Sequence, residues 1–157
     1  MQKITPFLWF NNNAEEAVNY YTSLFKNSRI GLITRYGDEG HGINGSIRTI
    51  SFTLDGQEFM ALNGGPVFSF SQAISFLVNC DSQEEIDRLW DKLSEGGQKQ
   101  VCGWLVDKFG ITWQIAPSSL GEMMKSDSCE KQQRLINALL QMEKLDADIL
   151  KQAFEGL

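Results

Sequence analysis

One stretch of this chain is a second version of another, and the duplication constrains the fold more than any other feature of the sequence. Residues 4–24 and 73–93 align at a shift of 69 positions. In both, a short apolar run enters a polar turn and then an amphipathic helix. Phe7 aligns with Phe76, and Leu8 with Leu77. Asn13 and Ser82 are matched N-cap residues, and each is followed by a glutamate, Glu16 or Glu85, at the capping-box spacing. That pairing satisfies free N–H groups at a helix start. The apolar faces match as well. Ala17, Tyr20, Tyr21 and Leu24 stand against Ile86, Leu89, Trp90 and Leu93, at the i, i+3, i+4, i+7 spacing of one helical face.

The ends of the two copies align at a smaller shift, 54 positions. Gly56-Gln57-Glu58-Phe59-Met60-Ala61-Leu62 matches Gly110-Ile111-Thr112-Trp113-Gln114-Ile115-Ala116, each a strand entered from a glycine turn. The second copy therefore has 15 fewer residues between its helix and its last strand. The first spends them on a longer middle section that includes the loop 36–45. Each copy has room for two further strands: 29–35 and 46–54 in the first, 99–102 and 104–106 in the second. Asp55-Gly56 is a strong hairpin turn, and Asp107-Lys108-Phe109-Gly110 is the corresponding turn in the second copy. The reading is an α+β chain of two β-α-β-β-β modules, 1–66 and 72–117, with a C-terminal helical appendage over 118–157. In the appendage, 130–144 reads as a helix with Leu135, Ile136, Leu139, Leu140 and Met142 on or near one face. Asp146 is placed to cap a last short helix containing Ile149, Leu150 and Phe154.

At 157 residues with a formal charge of −6, the chain suits one compact domain built from two small modules. The charge excludes a phosphate-tracking nucleic-acid surface and an anionic membrane surface, both of which need clustered Lys and Arg. The apolar run 4–10 is short, contains Pro6 and is followed at once by Asn11, so it reads neither as a secretory signal nor as a membrane span. Cys80, Cys102 and Cys129 are odd in number and show no CxxC spacing. They read as free thiols in a reducing, cytoplasmic compartment.

Several strings narrow the picture. Ile4-Thr5-Pro6-Phe7-Leu8-Trp9-Phe10 precedes Asn13-Ala14-Glu15-Glu16-Ala17. Phe59-Met60-Ala61-Leu62-Asn63-Gly64-Gly65-Pro66 follows, then Cys102-Gly103-Trp104-Leu105 with Asp107, Phe109-Gly110 and Trp113-Gln114. Together they resemble the PhnB-like family of the vicinal-oxygen-chelate superfamily, the class of glyoxalases, extradiol dioxygenases and bleomycin-resistance proteins. Leu120-Gly121-Glu122-Met123, Ala138-Leu139-Leu140-Gln141-Met142 and Lys144-Leu145-Asp146 resemble that family too. The resemblance implies paired modules that form a cup. Relatives often carry the label demethylubiquinone methyltransferase. The residues do not support that activity, because Gly64-Gly65 leads into Pro66 with no GxGxxG and no helix start behind it.

In metal-using relatives, side chains from the first and last strand of each module converge on one divalent ion. The corresponding positions here are Ile4 and Ala73, to within about a residue, and Met60 and Gln114. Only Gln114 has suitable chemistry, since Ile and Ala cannot ligate and Met is a soft ligand. The expectation is no metal centre and no cofactor.

Strand parity gives a second expectation. Phe7, Trp9, Phe59, Ala61, Ile74, Phe76, Val78, Trp113 and Ile115 are assigned to the helix side. Pro6, Leu8, Met60, Leu62, Ser75, Leu77 and Gln114 are assigned to the cup, with Thr49 and Ser51 joining them because Ile50, Phe52 and Leu54 compete better for the core. Leu8, Thr49, Ser51, Met60, Leu62, Ser75 and Gln114 thus form the candidate site for a small, partly apolar molecule. The alternative is that the cup is filled by its own side chains.

Cys102, expected on the helix side with Ile50 and Phe52, reads as a structural thiol. Glu15, Glu16, Glu84 and Glu85 read as helix-start residues. His41 reads as a solvated loop histidine or a group that closes over substrate. Three functions stay open: a metal-independent enzyme, a binding or sequestering protein, and a metal enzyme whose ligands lie elsewhere. No general base is visible on the cup face. A homodimer is expected, because relatives pair in this way and the C-terminal helix carries more apolar residues than its own domain can cover.

Overall fold

The computed structural model describes residues 1–40 and 42–157. The chain divides into two compact units, Met1–Phe70 and Ser71–Leu157. The first contains β1 (Phe7–Phe10), α1 (Ala14–Leu24), β2 (Arg29–Arg35), β3 (Ile47–Leu54) and β4 (Gln57–Asn63). The second contains β5 (Ser75–Cys80), α2 (Gln83–Ser94), β6 (Gln98–Lys99), β7 (Trp104–Val106), β8 (Thr112–Pro117) and three C-terminal helices, α3 (Ser119–Met123), α4 (Cys129–Leu140) and α5 (Ala147–Glu155). Each unit holds a four-stranded mixed sheet, in the orders β1-β4-β3-β2 and β5-β8-β7-β6. The first strand of each unit is parallel to its last, and the remaining neighbours are antiparallel. The β-α-β-β-β unit read from the sequence is present twice. Among the described residues, no helix is long and apolar enough to cross a membrane.

One face of each sheet is sealed by its helix. In the first unit, α1 buries Ala14, Ala17, Val18, Tyr21 and Leu24 against β2, β3 and β4. There it meets Ile50, Phe52, Leu54, Phe59 and Ala61, all buried. A large apolar side chain sealed in this way contributes about 1.5–3 kcal/mol. In the second unit, Ile86, Leu89, Trp90 and Leu93 of α2 cover Leu105, Trp113 and Ile115. The Asp55-Gly56 turn has φ of 47° and 78°, the doubly positive pair of a type I′ hairpin. It joins Leu54 directly to its partner Gln57.

The helix starts differ. Ser82 Oγ accepts from Glu85 N–H at 3.2 Å, so Ser82 caps α2 as expected, while Glu85 Oε2 reaches past the cap to accept from Asp81 N–H at 2.9 Å. Asn13 occupies the N-cap position of α1 but makes no side-chain cap bond. The Ala14 N–H instead donates to Asn63 Oδ1 at 2.9 Å, from the end of β4.

That difference comes from the length of one turn. Three residues, Asn11 to Asn13, separate Phe10 from α1, whereas two, Asp81 and Ser82, separate Cys80 from α2. The helices repeat at a shift of 69, as the cap alignment required. The strands repeat at 70: Phe7 pairs with Met60 and Leu77 with Gln114. A one-residue slip turns every strand side chain over. The parity assigned to β1 is therefore reversed. Leu8, opposite Ala61, and Phe10 are buried on the face that carries Ala61 and Phe59, while Phe7 is 57% exposed and shares the other face with Trp9, Met60 and Leu62. Ile74, also assigned to the core, precedes β5 and is exposed.

The appendage departs from expectation at one end. The helix read as 130–144 stops at Leu140, because Met142 and Glu143 leave it to accept hydrogen bonds from Cys102 N–H and Gly103 N–H, each at 2.7 Å. Asp146 caps the last helix as expected, its Oδ1 accepting from Ile149 N–H at 2.9 Å. Met123, Leu135, Leu145 and Leu150 form a buried cluster with Ala116 of β8.

Candidate functional site

The face of each sheet opposite α1 or α2 carries most of the residues assigned to binding. In the first unit it presents Phe7, Trp9, Glu58, Met60, Leu62, Thr49, Ser51, Thr53, Arg29 and Thr34, as the register dictates. Met60 lies opposite Ser51, and Leu62 opposite Thr49. Leu8 is the exception among the predicted set. It faces α1, because the extra residue in the β1–α1 turn moved the helix start and not the strand.

Ser51 is tied to an edge strand. Gly31 and Leu32 together stand opposite it, making a bulge in β2. Its Oγ accepts from Leu32 N–H at 2.7 Å. A Cβ on Gly31 would fall 2.5 Å from that oxygen, so the bulge needs glycine there. The Thr49 and Thr34 hydroxyls bond to each other. At the far edge, Trp9 Nε1 donates to Gly65 O at 3.0 Å, and the Trp9 ring fills the space a Cβ on Gly64 would need. Phe68 packs edge-on against that ring. The Gly64-Gly65 pair thus makes room for a tryptophan.

A cavity of about 270 Å³ opens on this face, lined by Thr5, Arg29, Gly31, Ser51, Phe52, Thr53, Glu58, Phe59 and Met60. A neighbouring hollow of about 300 Å³ shares Arg29, Thr53 and Glu58, and adds Asn27, Ser28 and Gly56. Sequence reasoning found Ser51 and Met60 but missed Arg29, Thr53 and Glu58. The signal was available for Glu58, which lies two residues before Met60 and so shares its face. Glu58 thus places a carboxylate on a face where the sequence showed no general base.

In the second unit the register holds as expected. Trp113 is buried on the α2 side and Gln114 lies on the opposite face. Gln114 Nε2 donates to Ser75 Oγ at 2.8 Å. Gln114 stands between Leu77 and Trp104 in the register, so Trp104 belongs to this face, a placement the sequence reading did not make. Ala116, on the same side of β8, is already covered by the C-terminal cluster.

The residues at the expected ligand positions take up different places. Ile4 is exposed and precedes β1, and Ala73 is exposed and precedes β5. Among the described residues, no group of three His, Cys, Asp or Glu side chains is gathered as a metal site would need. His41 lies outside the described residues. Cys102 does not lie in a strand under a helix. It occupies the β6–β7 turn with φ of 61°, and its Sγ donates to Leu139 O at 3.4 Å. Cys80 is buried beside Glu85 and Asp81; burial first, and those carboxylates second, push its thiol up to about 12.

The sequence profile of the family described as 3-demethylubiquinone-9 3-methyltransferase matches residues 2–116. The PhnB protein of Bacillus cereus, which bears that methyltransferase name provisionally, is 43% identical. It covers 73% of this chain and 98% of its own, with a TM-score of 0.68. The chain is a PhnB-like member of the vicinal-oxygen-chelate superfamily. A protein from Pseudomonas aeruginosa, PA1353, is 24% identical over 74% of this chain and 98% of its own, with a TM-score of 0.62. The fosfomycin resistance protein FosX of Mesorhizobium loti is 10% identical over 80% of this chain and all of its own, with a TM-score of 0.54. These two likenesses are of fold. No functionally curated protein matches the chain. The PhnB-like profile ends at residue 116, so the strings in the tail that resembled the family lie beyond it.

Proposed function

We propose that this PhnB-like chain binds a small, partly apolar molecule on the helix-free face of its first sheet, without a divalent metal at the site. The observation that carries the reading is the cavity of about 270 Å³, where Met60 supplies an apolar wall and Ser51, Thr53, Arg29 and Glu58 supply polar groups. A mostly concave lining with a few placed polar groups is what small-molecule sites share. Met60 at a position where relatives place a ligand supports metal-free binding. Gln114 and Ser75, with Trp104 beside them, supply a second polar spot on the other sheet.

The test is an amide-resolved NMR screen of a small-molecule library against the intact protein. Compounds should shift the signals of Ser51, Thr53, Glu58 and Met60. Thr53→Trp, which fills the cavity from a partly exposed position, should abolish those shifts and leave the melting temperature within a few degrees. A library that never perturbs this face would overturn the reading. Elemental analysis of the purified protein should find well under one Zn, Fe, Mn or Ni per chain. About one per chain, lost on mutating Gln114, would favour the metal-enzyme alternative.

Methyl transfer, the activity in the family's description, is not the reading adopted. A site for S-adenosylmethionine of the common type needs a glycine turn opening a helix. Gly64-Gly65 of this chain is packed against Trp9 and is followed by Pro66. Calorimetric titration with S-adenosylmethionine should show no binding.

A further inference from the structure

We infer that the cavity of the first unit selects a ligand that carries a negative and a positive group together on a short apolar stem. The inference rests on the binding function proposed above, and it names the ligand class for the same cavity. Register sets three side chains in a row across three strands: Arg29 opposite Thr53, and Thr53 opposite Glu58. Cross-strand partners share a face, so all three point to the helix-free side. Strands lie about 4.8 Å apart, which puts the Arg29 and Glu58 backbones about 10 Å from each other with the Thr53 hydroxyl between. All three residues line both the 270 Å³ cavity and the hollow beside it.

Among the described residues, neither the guanidinium nor the carboxylate is paired with the other or with any other side chain. Two opposite charges held apart on one cavity wall, both unpartnered, present complementary ends to a single ligand. The planar guanidinium fork suits a carboxylate or phosphate, and Glu58 accepts from an ammonium. A ligand with only a negative group would gain from Arg29 but meet Glu58 unfavourably, and a cationic ligand would suffer the reverse. A zwitterion satisfies both, with Thr53 bonding between them and Met60 against the stem.

The experiment titrates the intact protein with four probes of similar length, followed by backbone amide NMR: L-norleucine, hexanoate, hexylamine and hexan-1-ol. Norleucine should shift Thr53 and Glu58 and bind about tenfold more tightly than either singly charged probe. Arg29→Gln should weaken norleucine about tenfold while leaving hexylamine unharmed. Glu58→Gln should weaken norleucine and leave hexanoate unharmed. Both side chains are exposed, so the variants should melt with the parent. Hexanoate or hexylamine binding as tightly as norleucine, or norleucine binding unaffected by either substitution, would overturn the ligand class. So would hexan-1-ol entering the cavity where norleucine does not, which leaves the binding function standing. If none of the probes and no library compound reaches this face, both fall.

Discussion

Asp107 lies buried under the β7–β8 turn, where its carboxylate organises the end of the second module. Oδ1 accepts from Phe109 N–H at 2.8 Å and Ile111 N–H at 3.0 Å, and Oδ2 accepts from the Trp113 indole N–H at 2.9 Å. Asp107→Asn keeps the size but turns one acceptor into a donor, facing either the indole or the backbone donors. An unsatisfied buried donor costs about 1–3 kcal/mol, so denaturant unfolding should show a loss of about 2–3 kcal/mol. A variant within about 0.5 kcal/mol of the parent would mean that the turn does not depend on this charge. Cys80 yields a prediction about reactivity. Its thiol is raised to about 12 against an ordinary value of 9.0, so the folded state holds the proton more firmly than the unfolded chain. The resulting stability is fully present below pH 9.0 and declines as pH rises toward 12. At pH 8 a thiol reagent should modify exposed Cys129 quickly, half-buried Cys102 slowly and Cys80 only after denaturation. Fast modification of all three in native protein would contradict the burial. Single residues were legible from the sequence where alternation alone decided them. Gln114 and Trp113 fell on opposite faces as expected, because β8 is regular and its two neighbours differ sharply in polarity. Arg29 was not legible, since its face depends on a bulge at Gly31 and Leu32 that only the pairing with β3 reveals.

The elements followed from the repeat, and the one error of register has a structural cause. A cap and a helix face are local signals, so Asn13 and Ser82 correctly aligned α1 with α2. The strands before them were then carried along by the same count. Asn11-Asn12-Asn13 is one residue longer than Asp81-Ser82, and nothing local to the turn says whether the extra residue belongs to strand or turn. Leu8 was placed on the wrong face for that reason alone. The amphipathic pattern of α4 likewise ran on to residue 144, because helix periodicity does not register that Cys102 and Gly103 will claim the carbonyls of Met142 and Glu143. This strap fastens the appendage to the second module. Gln83 donates to Leu145 O at 3.0 Å and accepts from Ala147 N–H at 2.9 Å. Lys144 pairs with Asp87 at 2.8 Å, and its hydrogen bond, helped by Gln83, holds the Asp87 carboxyl below its ordinary value of 3.8. That pair supports the strap above pH 3.8 and releases it as pH falls through the lowered value. Leu145 is 1% exposed and sits against Gly103, where φ is 80° and a Cβ would fall 2.6 Å from Ile115 O. Leu145→Ala should cost about 2–4 kcal/mol. Limited proteolysis should then cut within the appendage while leaving the repeated modules protected. Cleavage spread evenly over the chain would show that appendage and modules do not unfold separately.

At the scale of the whole molecule, the two mixed sheets of four strands agree with membership in the vicinal-oxygen-chelate superfamily, and the apolar surface leaves the oligomeric state to measure. The appendage buries Leu135 and Leu150 but leaves neighbouring apolar side chains in solvent. On α4, Ile136 is 38% and Leu140 is 58% exposed, and on α5 Ile149 is 50% exposed. Ile136 and Leu140 are four residues apart, so they lie on one side of α4. The edge strand β2 adds Ile30, Leu32 and Ile33, all exposed, on a strand whose outer backbone groups have no neighbour within its sheet. Single exposed apolar residues are ordinary, but grouped ones and an open apolar edge usually mark a partner surface, and a second copy gives the closed two-fold arrangement most common among soluble oligomers. Light scattering at micromolar concentration should therefore give about 35 kDa, twice the 17.7 kDa of the chain. Two variants separate the candidate surfaces. If the appendage forms the contact, Ile136→Glu with Leu140→Glu should yield monomer with an unchanged circular dichroism spectrum. If the β2 edge forms it, Leu32→Lys should do so instead. A parent protein that stays near 17.7 kDa at micromolar concentration would remove the dimer, and these apolar groups would then be ordinary surface.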